Sequence, residues 1–154
     1  MTELLNTTTK PEPVTLQPEV VYQDSYVRIE ADSKAKYIFV DWLQHPDSAS
    51  FRHCFSKAVS FTVDMQCEYW LSDARAIHYL EFADQNWLLE EILPILPNSK
   101  LKKFARISTV ESIALMDVAR IYSSMDKLSA LTIKTQTEVF INKEDALEWL
   151  FPVA

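Results

Sequence analysis

Ser72, Asp73 and Arg75 place a hydroxyl, a carboxylate and a guanidinium within four consecutive positions. An arginine fork can grip an anion through two parallel bonds, and a hydroxyl beside a base is the minimum from which a nucleophile is built. The second requirement fails in sequence terms, because no histidine lies in a context that brings it to Ser72 or to the other candidate hydroxyl, Ser108. His45, His53 and His78 form no HExxH or His/Cys ligand spacing, so no metal site is expected. Cys54 and Cys67 lie thirteen residues apart without a CxxC motif, a reduced pattern. Cys54 falls on the apolar side of a helical stripe, where a thiol packs as a small hydrophobe and its pKa rises. Glu90 and Glu91 are adjacent helix positions about 100° apart, which makes them a solvated face rather than an acid/base pair. The expected catalytic, cofactor and metal sets are therefore empty, and the chain is expected not to be an enzyme.

Composition excludes further classes. The 154 residues include no glycine, where average usage of about 7% would supply about eleven. The dinucleotide fingerprint, the P-loop and the nucleophile elbow all depend on glycine, and all are absent. Net charge is −7, from 22 acidic and 15 basic side chains, and the pI is near 4.9. That field repels nucleic acid and anionic lipid. The one basic cluster, Lys100, Lys102, Lys103 and Arg106, reads as a solvated strand entry against an alternative of an anion patch. No apolar run approaches the roughly 18–20 residues that span a bilayer, no secretory signal pattern opens the chain, and a cytoplasmic location is expected.

The elements that must position the candidate residues follow from periodicity. Residues 1–19, with their threonine run and Pro11, Pro13 and Pro18, read as an extended or disordered tail before a single domain over 20–154. Alternation on both sides of Asp24-Ser25 predicts a β-hairpin, and a turn at Asp32-Ser33-Lys34 leads into an interior strand over 36–42. Pro46-Asp47-Ser48 announces a helix whose apolar stripe is Phe51, Cys54, Phe55, Ala58, Val59, Thr62 and Met65. A strand over 68–73 precedes a helix that carries Trp87, Leu88, Ile92 and Leu96 and must end or kink near Pro94. A strand over 101–108 ends at Ser108, which with Glu111 forms a capping box for a helix presenting Ile113, Ala114, Asp117, Val118, Ile121 and Met125. A strand over 136–141 and a helix capped by Asn142, with Ala146, Leu147, Trp149 and Leu150 apolar, close the domain at Pro152.

Strands alternating with helices imply an α/β fold: a mixed, mostly parallel sheet with an N-terminal antiparallel hairpin and about four helices. Ligands of such sheets bind beyond the carboxyl ends of the strands. The candidate crevice is thus Trp42, Ser72, Asp73, Arg75, Ser108, Thr109 and Asn142, with Asp41 beside Trp42. Against it stands a plainer outcome, in which Ser108 and Asn142 only cap helices and Asp73 pairs with Arg75. The aromatic supply of Trp42, Trp70, Trp87, Tyr79 and Phe82 serves either the core or a pocket for a small molecule or lipid.

WLSDAR at 70–75, NWLLEEILPIL at 86–96, ARIST at 105–109 and EVFINKEDALEWLF at 138–151 occur in that order. Over residues 20–151 the chain resembles the small SpoIIAA-like proteins of the STAS superfamily, of the single-domain sort common in Bacteroidetes bacteria. The resemblance implies a SpoIIAA-like α/β fold and a regulatory role through contact with a protein partner, self-association as a homodimer, or sensing of a small ligand. In anti-sigma-factor antagonists of that superfamily, a serine in an Asp-Ser-Ser-Gly setting is phosphorylated to break a partner complex. The counterpart here, Leu71-Ser72-Asp73-Ala74-Arg75, has one serine and no following glycine. Phosphate on Ser72 would meet repulsion from Asp73, offset by Arg75.

Overall fold

A computed structural model describes residues 15–115 and 135–153, with backbone only for 113–115. The fold is α/β, built on a six-stranded mixed sheet whose spatial order follows the chain. The strands are β1 (Glu19–Gln23), β2 (Val27–Asp32), β3 (Tyr37–Trp42), β4 (Tyr69–Asp73), β5 (Lys103–Ile107) and β6 (Gln136–Phe140). β1, β2 and β3 pair antiparallel, and β3 to β6 pair parallel. The expected class and the antiparallel N-terminal hairpin are both present.

β3 reads apolar along its length because it is covered on both faces. Ile38, Val40 and Trp42 join Trp70 under α1 (Ser48–Asp64), while Tyr37 and Phe39 join Leu71, Ala105 and Ile107 under α4 (Lys143–Leu150). Alternate side chains of one strand thus feed two cores. In α1 the buried positions are Phe51, Cys54, Ala58, Val59 and Thr62, the stripe that the three-and-four spacing predicts. Its first turn is capped by Asp47, whose carboxylate accepts from the Ser50 amide at 2.7 Å.

With no glycine, two positions still require a left-handed backbone, and Lys36 (φ 57°) and Gln66 (φ 54°) supply it at the entries to β3 and the β4 loop. Asp24 and Asp32 close the preceding turns differently. Each aims a carboxylate oxygen at two amides, Tyr26 and Val27 for Asp24, Lys34 and Ala35 for Asp32.

Several expectations are adjusted. Ordered chain begins before Val20: Gln17 N donates to Asp32 Oδ2 at 2.8 Å and Leu16 packs on the second core. Residues 1–14 lie outside the described residues, as do Asp117, Val118, Ile121 and Met125. The helix expected before Pro94 is α-helical only over α2 (Phe82–Trp87). It widens to a π turn over Leu88–Ile92 and tightens to 3-10 geometry over Leu93–Asn98. Pro94 cannot donate an amide and its ring crowds the carbonyl four residues back, so the turn ahead of it opens. The cap of α3 (Val110–Leu115) is Thr109, whose hydroxyl accepts from the Ser112 amide at 3.0 Å. The Ser108 hydroxyl instead accepts from Arg106 Nε at 2.9 Å.

Asn142 does cap α4, accepting from the Asp145 amide at 2.9 Å. Asn142→Ala is expected to lower stability by about 1 kcal/mol, read as a shift in the urea midpoint at unchanged slope; Asn142→Ser should keep most of the cap, whereas Asn142→Asp would set a carboxylate against that of Asp145, to which the Asn142 amide donates at 3.1 Å.

Candidate ligand cleft at the strand carboxyl ends

The residues expected to form a crevice are at the strand ends, but they do not converge. Trp42 is buried and stacked on Phe51, with ring centroids 5.5 Å apart. Ser72 is buried within the sheet. Arg75 closes on Asp73 with two side-chain bonds of 2.9 and 2.6 Å, and its own amide adds a third at 3.2 Å. That local pair commits the Nε/Nη2 edge of the guanidinium to Asp73, and the Asp73 bond and charge hold the Arg75 guanidinium above its usual pKa. Ser108, Thr109 and Asn142 are engaged with Arg106 and with the two helix amides. Asn142 also sits beyond β6, two strands from β4.

Asp41 and Glu144 add their charge to the hold on Arg75. Asp41 stands in register with Asp73 across β3 and β4 and accepts from Arg28 at 3.1 Å. Burial and the Asp73 charge push its carboxyl above the ordinary range, against the pull of Arg28 and Lys143.

The same end of the sheet does carry a cleft, made by residues that sequence spacing did not single out as a site. The segment after β3 and the segment after β4 enclose about 380 Å³, lined by Tyr26, His45, Asp47, Ser48, Tyr79 and Asp84 among others. His45 stacks on Tyr79 at 4.5 Å and on His78 at 5.5 Å, and its Nδ1 accepts from the His78 amide at 3.1 Å. With Nδ1 an acceptor, the proton of the neutral ring sits on Nε2. Burial, then repulsion from His78, lowers the His45 pKa and favours that neutral ring.

Across the cleft, Asp84 at the first turn of α2 is 3% exposed. Ser48 Oγ donates to its Oδ1 at 2.6 Å and Arg52 Nε to the same oxygen at 2.8 Å. Arg52 also donates to the Ala83 carbonyl and lies over the Trp87 ring at 5.6 Å. Asp84 is thus the joint between α1 and α2. Residues 45 to 48 and 78 to 84 are united only in three dimensions. Two signals were legible: Pro46-Asp47-Ser48, a helix start immediately beyond a parallel strand, and Tyr79 among the aromatics that could serve a core or a pocket.

Beside the cleft, the hairpin turn is tied to α1. Tyr22 Oη donates to Asp24 Oδ2 at 2.8 Å and the Cys54 thiol reaches the same oxygen at 3.4 Å, with His53 Nε2 3.3 Å from Tyr22 Oη. Burial, and then the Asp24 carboxylate, push the Cys54 thiol up to about 12; burial pushes Cys67 up to about 11. Both thiols are free and buried, as core thiols are expected to be.

The basic cluster dissolves into separate contacts. Lys102 pairs with Glu68 at 3.1 Å, Lys103 donates to the Trp149 carbonyl at 2.7 Å over that ring, and Arg106 holds Ser108. Among the described residues no three His, Cys, Asp or Glu side chains are grouped to hold a metal ion, and no helix is long and apolar enough to cross a membrane. Comparison with known proteins finds no family model, no curated protein and no solved structure that matches this chain.

Proposed function

We propose that this chain is a cytoplasmic, non-enzymatic regulatory module of the SpoIIAA-like, STAS kind, and that it responds to a small molecule held in the His45–Asp84 cleft. The carrying observation is the cleft itself: about 380 Å³ at the carboxyl ends of β3 and β4, the end at which open α/β sheets take ligands and a size within the range of small-molecule sites. Binding rather than turnover is favoured by how its groups are engaged. Ser48 donates to a carboxylate already shared with Arg52, and His45 offers an amide-bonded Nδ1.

The segments around the cleft also carry exposed apolar side chains, Leu43 at 41%, Tyr79 at 46% and Phe82 at 63%. A ligand that orders those segments would change the surface a protein partner meets, which couples sensing to contact.

A metabolite panel read by thermal shift and tryptophan fluorescence tests the proposal, because Trp42 stacks on Phe51 in the cleft wall. The expected result is a saturable ligand that stabilises the fold by about 2.7 kcal/mol at one hundred times its Kd, weakened by Tyr79→Ala and recovered unchanged after incubation. A panel with no shift, or a ligand converted to product, overturns it.

A further inference from the structure

We infer that the cleft is built for a small organic cation, an ammonium group carried on an apolar or aromatic body. This inference rests on the ligand reading above and gives it a chemical class. Three carboxylates line the cleft, Asp47, Glu81 and Asp84, and no lysine or arginine does. Their surroundings do not neutralise them evenly. Asp84 is already paired with Arg52 and Ser48 through Oδ1, whereas Asp47 accepts from the Ser50 backbone amide and Glu81 is exposed. A carboxylate with no guanidinium on it is the better partner for an incoming charged N–H donor.

Beside Gln44, Pro46 and Ser48, the remaining walls are rings and a hydrocarbon. Tyr26, His45, Phe51, Tyr79 and Leu80 face the same space, and ring faces attract an ammonium or a guanidinium through their quadrupole. Asp47, Glu81 and Asp84 line the cleft without grouping as metal ligands do, since among the described residues no such cluster forms. Charge spread along a cleft with aromatic walls suits a cation that has a body, not a bare ion.

An anion is opposed three times over. The N-terminus of α1, which would otherwise welcome one, is already occupied by the Asp47 carboxylate through the Ser50 amide. The nearest guanidinium, Arg52, is closed onto Asp84 and Ala83. The whole chain carries −7, which slows the approach of any further negative charge.

The test uses the full chain and three probes of one shape: benzylamine, protonated at neutral pH, its neutral analogue benzyl alcohol, and the anion benzoate. Titrations at matched ionic strength are followed through Tyr79 and His45 NMR resonances. Benzylamine should bind at least tenfold more tightly than the other two. Asp47→Asn, which keeps a good cap, and the exposed-site change Glu81→Gln should each reduce that preference several-fold with no change in the melting curve. Tyr79→Ala should weaken benzylamine as well.

Equal or tighter binding of benzyl alcohol or benzoate overturns the cationic class and leaves the ligand reading standing. If no probe perturbs these resonances while the metabolite panel yields a binder, the class alone is wrong; if both fail, the cleft is not a ligand site.

Discussion

Trp70→Ala should destabilise the protein by about 3–5 kcal/mol, the largest single-residue effect expected here, whereas Trp70→Phe should cost no more than about 1.5 kcal/mol. Trp70 is 2% exposed on β4, in register with Ile38 on one side and Phe104 on the other. Its ring lies 5.4 Å from that of Phe55 and 5.1 Å from that of Phe104, so it joins α1 to the sheet through aromatic contacts. Alanine would remove both contacts and leave a cavity in the first core. Phenylalanine keeps a ring in place and removes a liability. Trp70 Nε1 is the buried side-chain polar atom, among the described residues, that has no hydrogen-bond partner, and burying such a donor costs about 1–3 kcal/mol. Relief of that penalty offsets much of the lost ring area. Urea unfolding at constant slope measures both values. A phenylalanine variant as unstable as the alanine one would mean that Nε1 is bonded in solution and that its loss is part of the cost.

Elements with one strong period were legible from the chain. β3 and the stripe of α1 were fixed by apolar spacing, because burial on two faces or on one leaves a pattern that nearest neighbours do not blur. Pro94 marked the break after α2 but not its form, since whether a crowded carbonyl is relieved by a π turn or by a kink depends on what packs against it. Ser108 and Thr109 show the limit of a local motif. Both hydroxyls suit a cap; Thr109 makes it, one position beyond the expected one, and Ser108 meets Arg106 instead. The candidate site was legible as a location, and Tyr79 as one aromatic available to it. Asp73 and Arg75 paired as the plainer expectation had it, and the cleft lies at the predicted end. Its walls, however, come from contacts such as Ser48 to Asp84 and His45 to His78, each more than thirty residues apart in sequence. Spacing cannot report a pairing made by the return of a crossover.

Asp24 provides the second large effect, and it carries a pH signature. Four donors converge on this carboxylate: the Tyr26 and Val27 amides on Oδ1, the Tyr22 hydroxyl and the Cys54 thiol on Oδ2. Asp24→Ala is expected to cost about 2–4 kcal/mol, since it removes charge-assisted bonds and orphans two turn amides. Asp24→Asn keeps an acceptor for the amides and should cost about 1–2 kcal/mol. Burial by itself would raise the Asp24 pKa, but the bonds from Tyr22, Tyr26, Val27 and Cys54 outweigh it and hold the carboxyl below 3.8. A carboxyl lowered in the folded state binds fewer protons there than in the unfolded chain, so its stabilisation is complete above the unfolded value and is lost as pH falls through the folded one. The gap between the native chain and Asp24→Asn should therefore hold steady from neutral pH to about 5 and close below about 4. The same bond acts at the alkaline end with the opposite sign. Asp24 raises Tyr22 from 10.0 to about 12, so the hydroxyl's contribution is complete below 10 and is lost as pH climbs toward 12. Urea midpoints of both chains across this range would give a plateau with two falling limbs. A gap that stays constant into acid would show that the hairpin is held by the turn amides alone, with the carboxylate charge contributing nothing.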